Sequence, residues 1–251
     1  MTMKYIIESI VLAIVLTALS YVVGLQAGWI TELNWLEVFA VATSYSCTWL
    51  CTRQSRWNYP IGVITTAAYS VLFYQWGMVA LALFNLYLVF SLIYGWFRWG
   101  SDDNTRPVTR IPLRWYPGYG AIGLVILGLF LAANWLFNPA GISELNPIDV
   151  GLAVASGVAQ LMLDNKKLET WSVWAAVDIV SIPFFIYSGL TLVAFQYIFF
   201  LANTVIGHIQ WRKTMIPQYK AVDGAKSLLG KHDGIMDDEL YAIIAKGQTN
   251  A

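Results

Sequence analysis

Residues 79–99 read VALALFNLYLVFSLIYGWFRW, an apolar run of 21 residues whose single charge, Arg98, lies at its end. A helix needs roughly 20 predominantly apolar residues to cross the hydrocarbon core of a bilayer, so this run predicts a membrane-spanning helix. The whole chain has a similar character, because 58% of its 251 residues are hydrophobic and 12% are charged. Soluble domains carry about 25% charged residues. The composition therefore argues against a soluble enzyme, a nucleic-acid-binding protein and a disordered chain.

Seven further apolar runs resemble this one, and short polar or Gly/Pro-containing segments separate them. The eight predicted spans are residues 5–27, 35–52, 58–76, 79–99, 117–136, 147–163, 171–187 and 190–211. The first run is too long for the apolar region of a signal peptide, and no clear cleavage site follows it. We therefore predict an all-α polytopic membrane protein with eight transmembrane helices.

The placement of basic residues tests this number of spans. With the N-terminus in the cytoplasm and eight crossings, all 15 Lys and Arg residues fall on the cytoplasmic side. The outer loops then carry Glu32 and Glu144 and no basic residue. Seven or nine spans would break this pattern. The positive-inside rule thus predicts a multi-pass protein of the inner (cell) membrane with both termini in the cytoplasm.

An internal repeat is visible in the sequence. Residues 73–77 and 94–99 resemble residues 185–189 and 206–211 at an offset of 112, and residues 53–57 match 167–171 at an offset of 114. One span lies between the copies, so we predict two parallel three-helix repeats in a 1+3+1+3 arrangement. Such parallel repeats are typical of transporters with the substrate between the halves. Chance similarity among apolar segments is the weaker alternative, because glycines and tryptophans match at both ends.

The predicted organisation follows from these spans and repeats. Its units are residues 1–34 (an extra N-terminal helix and outer loop), 35–99 (the first repeat), 100–147 (a cytoplasmic loop, a linker helix and an outer loop), 148–213 (the second repeat) and 214–251 (a cytoplasmic tail). Within 171–187, Pro183 is expected to kink the helix. Near the end of the tail, acidic residues at 237–239 begin a predicted short helix.

Asp178 is the most informative polar residue, because it lies in the middle of the span 171–187. A carboxylate there costs about 2.5–3.5 kcal/mol on insertion scales, so we expect it to face the bundle interior or a cavity. Trp171, Trp174 and Asp178 share one helix face and could hold a flat, cationic ring by stacking and cation–π attraction. The alternatives are a structural carboxyl group for Asp178 and an interfacial anchor for Trp171.

Polar residues in three other spans extend this candidate substrate site. They are Asn58, Thr65 and Tyr69 in the third span, Asn85 in the fourth, and Gln196, Tyr197 and Asn203 in the last. Taken singly, such residues often only bridge helices, at about 0.6 kcal/mol each. Their recurrence in both repeats favours a shared binding site.

Several kinds of chemistry are not indicated. The sequence has no Walker loop and no Ser-His-Asp set, and its two histidines, His208 and His232, do not suggest a zinc site. Cys47 and Cys51 are interpreted as free core cysteines. We therefore expect no enzyme activity, no metal and no cofactor, and no nucleic acid among the partners.

Two groups of short motifs resemble a known family. Residues 57–62 (WNYPIG), 73–75 (FYQ) and 93–99 (IYGWFRW) resemble the first repeat of the PnuC nicotinamide riboside transporters. Residues 171–174 (WSVW), 180–183 (VSIP), 189–190 (GL) and 196–197 (QY) resemble the second. The resemblance covers residues 35–213, in order and with similar spacing.

This resemblance implies two three-helix bundles joined by a linker helix, as in a full-length relative of the SWEET sugar transporters. It implies facilitated diffusion of a vitamin precursor across the lipid bilayer of the membrane, with nicotinamide riboside as the first candidate, and trapping by a cytoplasmic kinase. By position, Trp171 and Trp174 would pack against the aromatic ring of the substrate, and Gln196 stands where the family usually has a polar residue. A homo-oligomer is compatible with the sequence.

Three positions depart from the family pattern. Asp178 stands where the family often has Asn, Asn85 stands where it has Gln, and Thr65 lies near a usual Asn. An acidic residue suits the pyridinium of nicotinamide riboside or the thiazolium of thiamine, and neutral riboflavin fits less well. A proton-coupled carrier that uses Asp178 as its relay is a further alternative.

Overall fold

The computed structural model describes residues 2–30, 34–76, 79–100, 106–137, 147–187 and 191–229. Over these ranges the chain forms eight α-helices and no β-strand. The helices are α1 (Thr2–Gln26), α2 (Trp35–Thr52), α3 (Asn58–Gln75), α4 (Val79–Trp99), α5 (Tyr116–Phe137), α6 (Pro147–Asp164), α7 (Thr170–Tyr187) and α8 (Thr191–Leu229). A 3₁₀ turn, Leu113–Trp115, precedes α5. The all-α prediction is therefore confirmed.

The helices agree closely with the eight predicted spans, with one exception. α8 continues 18 residues beyond the predicted end at residue 211, to Leu229. Hydropathy marks where an apolar segment ends, whereas good helix formers such as Arg212 and Lys213 let the helix itself continue. α7 likewise continues through Pro183. The short helix predicted near residues 237–245 lies outside the described residues.

Five of these helices are long and apolar enough to cross a membrane by length and composition. They comprise Met3–Gln26, Leu81–Trp99, Leu113–Ala132, Thr170–Tyr187 and Val193–Met215. Their surfaces carry large exposed apolar side chains, such as Phe97 at 75% and Leu124 at 70% exposure. Exposed apolar surface of this extent is expected in lipid and not in water. The chain is therefore a multi-pass membrane protein, and the count of eight crossings stays a prediction.

The six helices α2–α4 and α6–α8 form a closed ring in the order α2, α3, α4, α6, α7, α8, with α8 returning to α2. α5 packs outside the ring against α4 and α6, and α1 packs outside it against α2 and α8. Each outer helix thus covers one of the two places where the first three ring helices meet the second three. The ring places six helix faces around a common interior.

The two halves of the ring match at a constant offset. α2 and α6 begin at Trp35 and Pro147, α3 and α7 at Asn58 and Thr170, and α4 and α8 at Val79 and Thr191, so each pair is separated by 112 residues. The α2–α3 and α6–α7 loops keep this offset, since the two non-glycine residues with positive φ in the described part of the chain are Gln54 (55°) and Lys166 (48°). The offset of 114 suggested by Trp57 and Trp171 is therefore not followed, and the counterpart of Trp171 is Tyr59.

One end of the ring, the basic end, contains the loops at 53–57 and 165–169 and the end of α4. Two tryptophans join the halves there. Trp99 Nε1 donates a hydrogen bond to the carbonyl of Leu163 (3.2 Å), and Trp211 Nε1 donates to the carbonyl of Cys51 (3.0 Å). Both tryptophans are fully buried, and their ring centroids are 5.8 Å apart. Trp99 and Trp211 are 112 residues apart, and so are Cys51 and Leu163, so the two hydrogen bonds are reciprocal. We call Trp99 and Trp211 the tryptophan pair.

Lys166 lies beneath this pair in a loop outside the membrane-spanning segments. Its side chain is fully buried, its Nζ lies 4.4 Å from the centroid of the Trp99 ring, and it donates to Gln54 Oε1 (3.3 Å). Thr109 covers the loop through backbone hydrogen bonds with Lys166 (3.0 Å) and Leu168 (2.9 Å). Burial, together with the nearby Arg106 charge, lowers the pKa of Lys166 from 10.5 to about 7.

Candidate functional site

A cavity of about 220 Å³ lies inside the ring, between the two sets of three helices. All six ring helices contribute side chains to its wall, whereas the described residues of α1 and α5 contribute none. Toward the basic end it reaches Cys51 and Leu163, whose carbonyls accept the hydrogen bonds of the tryptophan pair. The contact between the two halves therefore lies directly below the cavity.

Positions in the cavity wall repeat at the same offset of 112 residues, but several matching positions carry chemically different side chains. Matching wall positions include Ser44 and Ser156, Thr48 and Gln160, Gly62 and Trp174, Thr66 and Asp178, Phe84 and Gln196, and Asn85 and Tyr197. The second half thus supplies an indole, a carboxylate and an amide where the first half has Gly62, Thr66 and Phe84. A ligand in this cavity therefore meets a carboxylate and two indoles in the second half and neutral side chains without an indole in the first half.

Nine of the ten residues predicted for the substrate site line this cavity. They are Thr65, Tyr69, Asn85, Trp171, Trp174, Asp178, Gln196, Tyr197 and Asn203. The structure does not bring Asn58 to the cavity: its side chain is fully buried, and its Nδ2 donates to the carbonyl of Ser55 (2.7 Å). Asn58 also accepts a bond from the Cys47 thiol through its own carbonyl (3.3 Å), so it stabilises the start of α3.

Asp178 lies in the interior of the ring and is 2% exposed. Among the described residues, no group forms a hydrogen bond with its buried Oδ2 atom. Leaving a buried carboxylate oxygen without a partner costs free energy, and a ligand that supplies a positive charge or a donor would offset that cost. This oxygen is therefore available to a ligand that enters the cavity, which Asp178 also lines.

The two tryptophans of α7 have different surroundings. Trp171 is 4% exposed, its ring lies 5.2 Å from that of Trp211, and a Cβ added to Gly207 would overlap it. It forms part of the floor of the cavity and is no interfacial anchor. Trp174 lies one turn further along α7, is half-buried and has Gly62 as its counterpart across the ring. Trp174 is therefore the indole with more surface available for stacking.

A hydrogen-bonded corner joins α2, α3 and α8 at the cavity wall. Tyr69 OH donates to Gln196 Oε1 (2.9 Å), Gln196 Nε2 donates to Ser44 Oγ, and Ser44 Oγ donates to the carbonyl of Val41 (2.7 Å). The sequence predicted Tyr69 and Gln196 but missed Ser44, because a single serine in a span is a weak signal. Ser156 matches it at the repeat offset, but that match does not show which helix Ser44 faces.

A second polar group, centred on Asp164, was also missed. The predicted sixth span ends at residue 163, one residue before Asp164, but Asp164 is the last residue of α6 and is fully buried. Ser91 Oγ and Gln160 Nε2 donate hydrogen bonds to its carboxylate (2.8 and 2.9 Å). The Ser91 bond ties α4 to α6, and Gln160 also lines the cavity. A boundary acid gives no indication from sequence of whether it points inward.

The chain is similar to known membrane transporters. The family model described as nicotinamide mononucleotide transporter matches residues 34–213. A relative from Escherichia coli (strain K12), named nicotinamide riboside transporter PnuC, is 24% identical over 206 residues, covering 72% of this chain and 86% of the relative. A relative of the same name from Neisseria mucosa is 24% identical over 194 residues, covering 72% of this chain and 73% of the relative.

A solved structure has the same fold. It is a crystal structure described as that of the vitamin B3 transporter PnuC, and it superimposes with a TM-score of 0.67 at 21% sequence identity. The superposition covers 86% of this chain and 97% of that chain.

Proposed function

The chain belongs to the nicotinamide mononucleotide transporter family, and we propose that it carries nicotinamide riboside across the membrane by facilitated diffusion. The family is one of transporters and not of enzymes. Its description names the mononucleotide, whereas the relatives above are named for the riboside. The described wall of the cavity contains no Lys, Arg or His, and phosphate recognition in proteins usually relies on such cations. A riboside without a phosphate therefore suits this cavity better.

The observation that carries the proposal is the unpartnered Oδ2 of Asp178 in a cavity that Trp174 also lines. The nicotinamide ring of the riboside is a planar pyridinium cation. Stacking on an indole face and attraction to a carboxylate both stabilise such a ring, and they act more strongly in a dry site than in water. The thiazolium ring of thiamine shares these properties, so thiamine is the second candidate. Neutral riboflavin gains only the stacking.

We further propose that the two three-helix halves rock against each other to expose the cavity to either side. By the positive-inside rule, the basic end faces the cytoplasm, as do both termini. The tryptophan pair joins the halves below the cavity at that end, which supports a conformation closed toward the cytoplasm. Phosphorylation of the riboside by a cytoplasmic kinase would then retain it in the cell.

Uptake into proteoliposomes tests the substrate and the energy source together. Purified protein should take up labelled nicotinamide riboside down its gradient, faster than thiamine and much faster than riboflavin or nicotinamide mononucleotide. The rate should be the same with and without an imposed proton gradient. Uptake that requires the proton gradient would favour the proton-coupled carrier instead, with Asp178 as its relay. Uptake of none of the four compounds, by protein that remains folded, would contradict the proposal.

A further inference from the structure

The corner formed by Ser44, Tyr69 and Gln196 has a defined hydrogen-bond direction. We propose that Ser44 is a positioning residue that orients the Gln196 amide, so that Gln196 and Tyr69 together recognise the carboxamide group of the substrate and select it over the corresponding carboxylate. This inference rests on the proposed function, because it concerns the same cavity and the carboxamide group of the same pyridinium ligand.

The first hydrogen bond of this corner is made to a backbone carbonyl group of α2. Ser44 Oγ donates its hydrogen to the carbonyl of Val41 (2.7 Å). A serine hydroxyl has one hydrogen, so toward Gln196 it acts as an acceptor. The side of the Gln196 amide that faces Ser44 must then be the NH₂ group. The two ends of an amide differ little in shape, and the hydrogen-bond network decides between them.

The orientation of the Gln196 amide also decides the direction of its hydrogen bond with Tyr69. With Nε2 held at Ser44, Oε1 of Gln196 faces Tyr69, and a carbonyl oxygen only accepts. Tyr69 OH therefore donates to it (2.9 Å) and uses its only hydrogen. Tyr69 keeps lone-pair capacity on its oxygen, and Gln196 keeps its second N–H. The corner thus offers a ligand one donor and one acceptor from neighbouring side chains.

This pair of groups matches a primary carboxamide. The carboxamide oxygen accepts from the second Gln196 N–H, and the carboxamide NH₂ donates to the Tyr69 oxygen. A carboxylate has acceptors only, so it would place its second oxygen against the Tyr69 lone pairs. Ser44 and Gln196 are 5% and 3% exposed, so water compensates little for a mismatch. Sites built around a buried hydrogen bond reject analogues that cannot form it far more strongly than apolar pockets do.

The positions related to this corner by the 112-residue offset carry no amide, which provides a matched control. The counterpart of Gln196 is Phe84, which cannot form this network, and the counterpart of Ser44 is Ser156, which also lines the cavity. Ser44→Ala and Ser156→Ala are therefore the same chemical change at matched positions of one cavity. Only the first removes the acceptor that orients an amide.

Isothermal titration with nicotinamide riboside and nicotinic acid riboside tests the inference. Wild-type protein should bind the amide at least about tenfold more tightly than the acid. Ser44→Ala should lower this ratio severalfold, toward the preference that the Asp178 charge alone gives to the cationic amide over the zwitterionic acid, since the Gln196 amide is then free to reverse. Ser44→Thr, which keeps the hydroxyl, should restore the ratio, and Ser156→Ala should leave it unchanged. A purely structural role for Ser44 would lower both affinities together and leave their ratio intact.

Three results would overturn the inference. They are equal binding of amide and acid by the wild type, a preserved ratio in Ser44→Ala, and an equal loss of the ratio in Ser156→Ala. If Ser44→Ala does not fold, the wild-type ratio and the Ser44→Thr variant decide. Absence of any binding of nicotinamide riboside by the wild type would contradict the proposed function itself, and the inference with it. Binding of the riboside without preference contradicts the inference alone.

Discussion

In the proposed function, substrate selection depends most on Asp178, whose buried carboxylate lines the cavity with an unpartnered oxygen. We expect Asp178→Asn to weaken binding of nicotinamide riboside by about tenfold or more, since the pyridinium loses its counter-charge. The reduced, uncharged dihydro form of the same riboside should bind wild type and variant similarly. Calorimetry with both forms measures this.

A suitable control for Asp178→Asn is Glu37→Gln, the same kind of change in the first turn of α2 and away from the cavity wall. It should leave both affinities unchanged. Equal affinity of Asp178→Asn and wild type for the cationic riboside would remove the proposed role of this carboxylate.

Gly95 is a residue where packing leaves no space for a side chain. An added Cβ would overlap the ring of Tyr59 and the Asp164 carboxylate, and Tyr59 is fully buried. We expect Gly95→Ala to lower the free energy of unfolding by about 1–3 kcal/mol, the usual cost of overpacking. Gly120→Ala in α5, where a Cβ meets nothing within 4 Å, should be neutral or slightly stabilising. Thermal unfolding in detergent compares the two, and an equal effect of both changes would contradict the tight contact.

Lys166 should make stability depend on pH. Its folded pKa of about 7 lies below the ordinary value of 10.5, so the unfolded chain holds more protons between these values. Stability should therefore rise with pH from about 7 toward 10.5, and the penalty of the buried charge should be fully present below pH 7. The unfolding temperature of wild type should rise between pH 6 and 9 relative to that of Lys166→Met. Parallel pH curves for the two proteins would show that Lys166 does not titrate in this way.

At the level of the helices, the tryptophan pair leads to a testable prediction about access to the cavity from the cytoplasmic side. Cys47 lines the cavity above the pair, and in a Cys51→Ala background it is the one cysteine left in the chain. We expect Cys47 to react slowly with a membrane-impermeant thiol reagent applied from the cytoplasmic side of inside-out vesicles. Trp211→Phe, which loses the bond to the carbonyl of residue 51, should raise this rate severalfold.

The matched control is Trp135→Phe, because Trp135 lies in α5 and is 59% exposed on the outer surface. It should leave the labelling rate unchanged. Rapid labelling of Cys47 in protein with an intact tryptophan pair would show that these residues do not close the cavity on that side.

The helices themselves could be predicted well, because an apolar run of about 20 residues is a strong and local signal. The 112-residue offset was also visible in the sequence, from the Gly and Trp residues at the ends of α4 and α8. The end of α8 could not be predicted, since polarity does not stop a helix. The loop offset was also misjudged, because Trp57 and Trp171 suggested an alignment that the loop backbone at Gln54 and Lys166 does not follow.

At the scale of the whole molecule, the closed six-helix ring explains which site predictions could succeed. Asp178 and Gln196 are polar residues deep in apolar helices, and such residues must face the interior wherever that interior lies. Ser44 and Asp164 could not be assigned, because their importance depends on which helices become neighbours: Ser44 matters through α8, and Asp164 through α4. Neighbour relations of this kind are a property of the ring and not of any single helix.

The ring also explains how one fold can combine symmetry and selectivity. Its two halves match in helix boundaries and in the tryptophan pair, which suits two bodies that move against each other. The cavity between them is asymmetric, since Trp174 and Asp178 stand opposite Gly62 and Thr66. We infer that the matching features serve the motion and the differing features serve recognition.

A structure determined with nicotinamide riboside bound would show whether the ligand occupies the cavity beside Trp174 and Asp178. The pyridinium ring should lie inside the six-helix ring, in contact with the Trp174 indole and with its positive charge about 4–6 Å from the Asp178 carboxylate, the range in which opposite charges interact strongly. The ribose should face the first half of the ring, near Gly62. A riboside bound outside the ring, or inside it without contact to Trp174 and Asp178, would contradict the account.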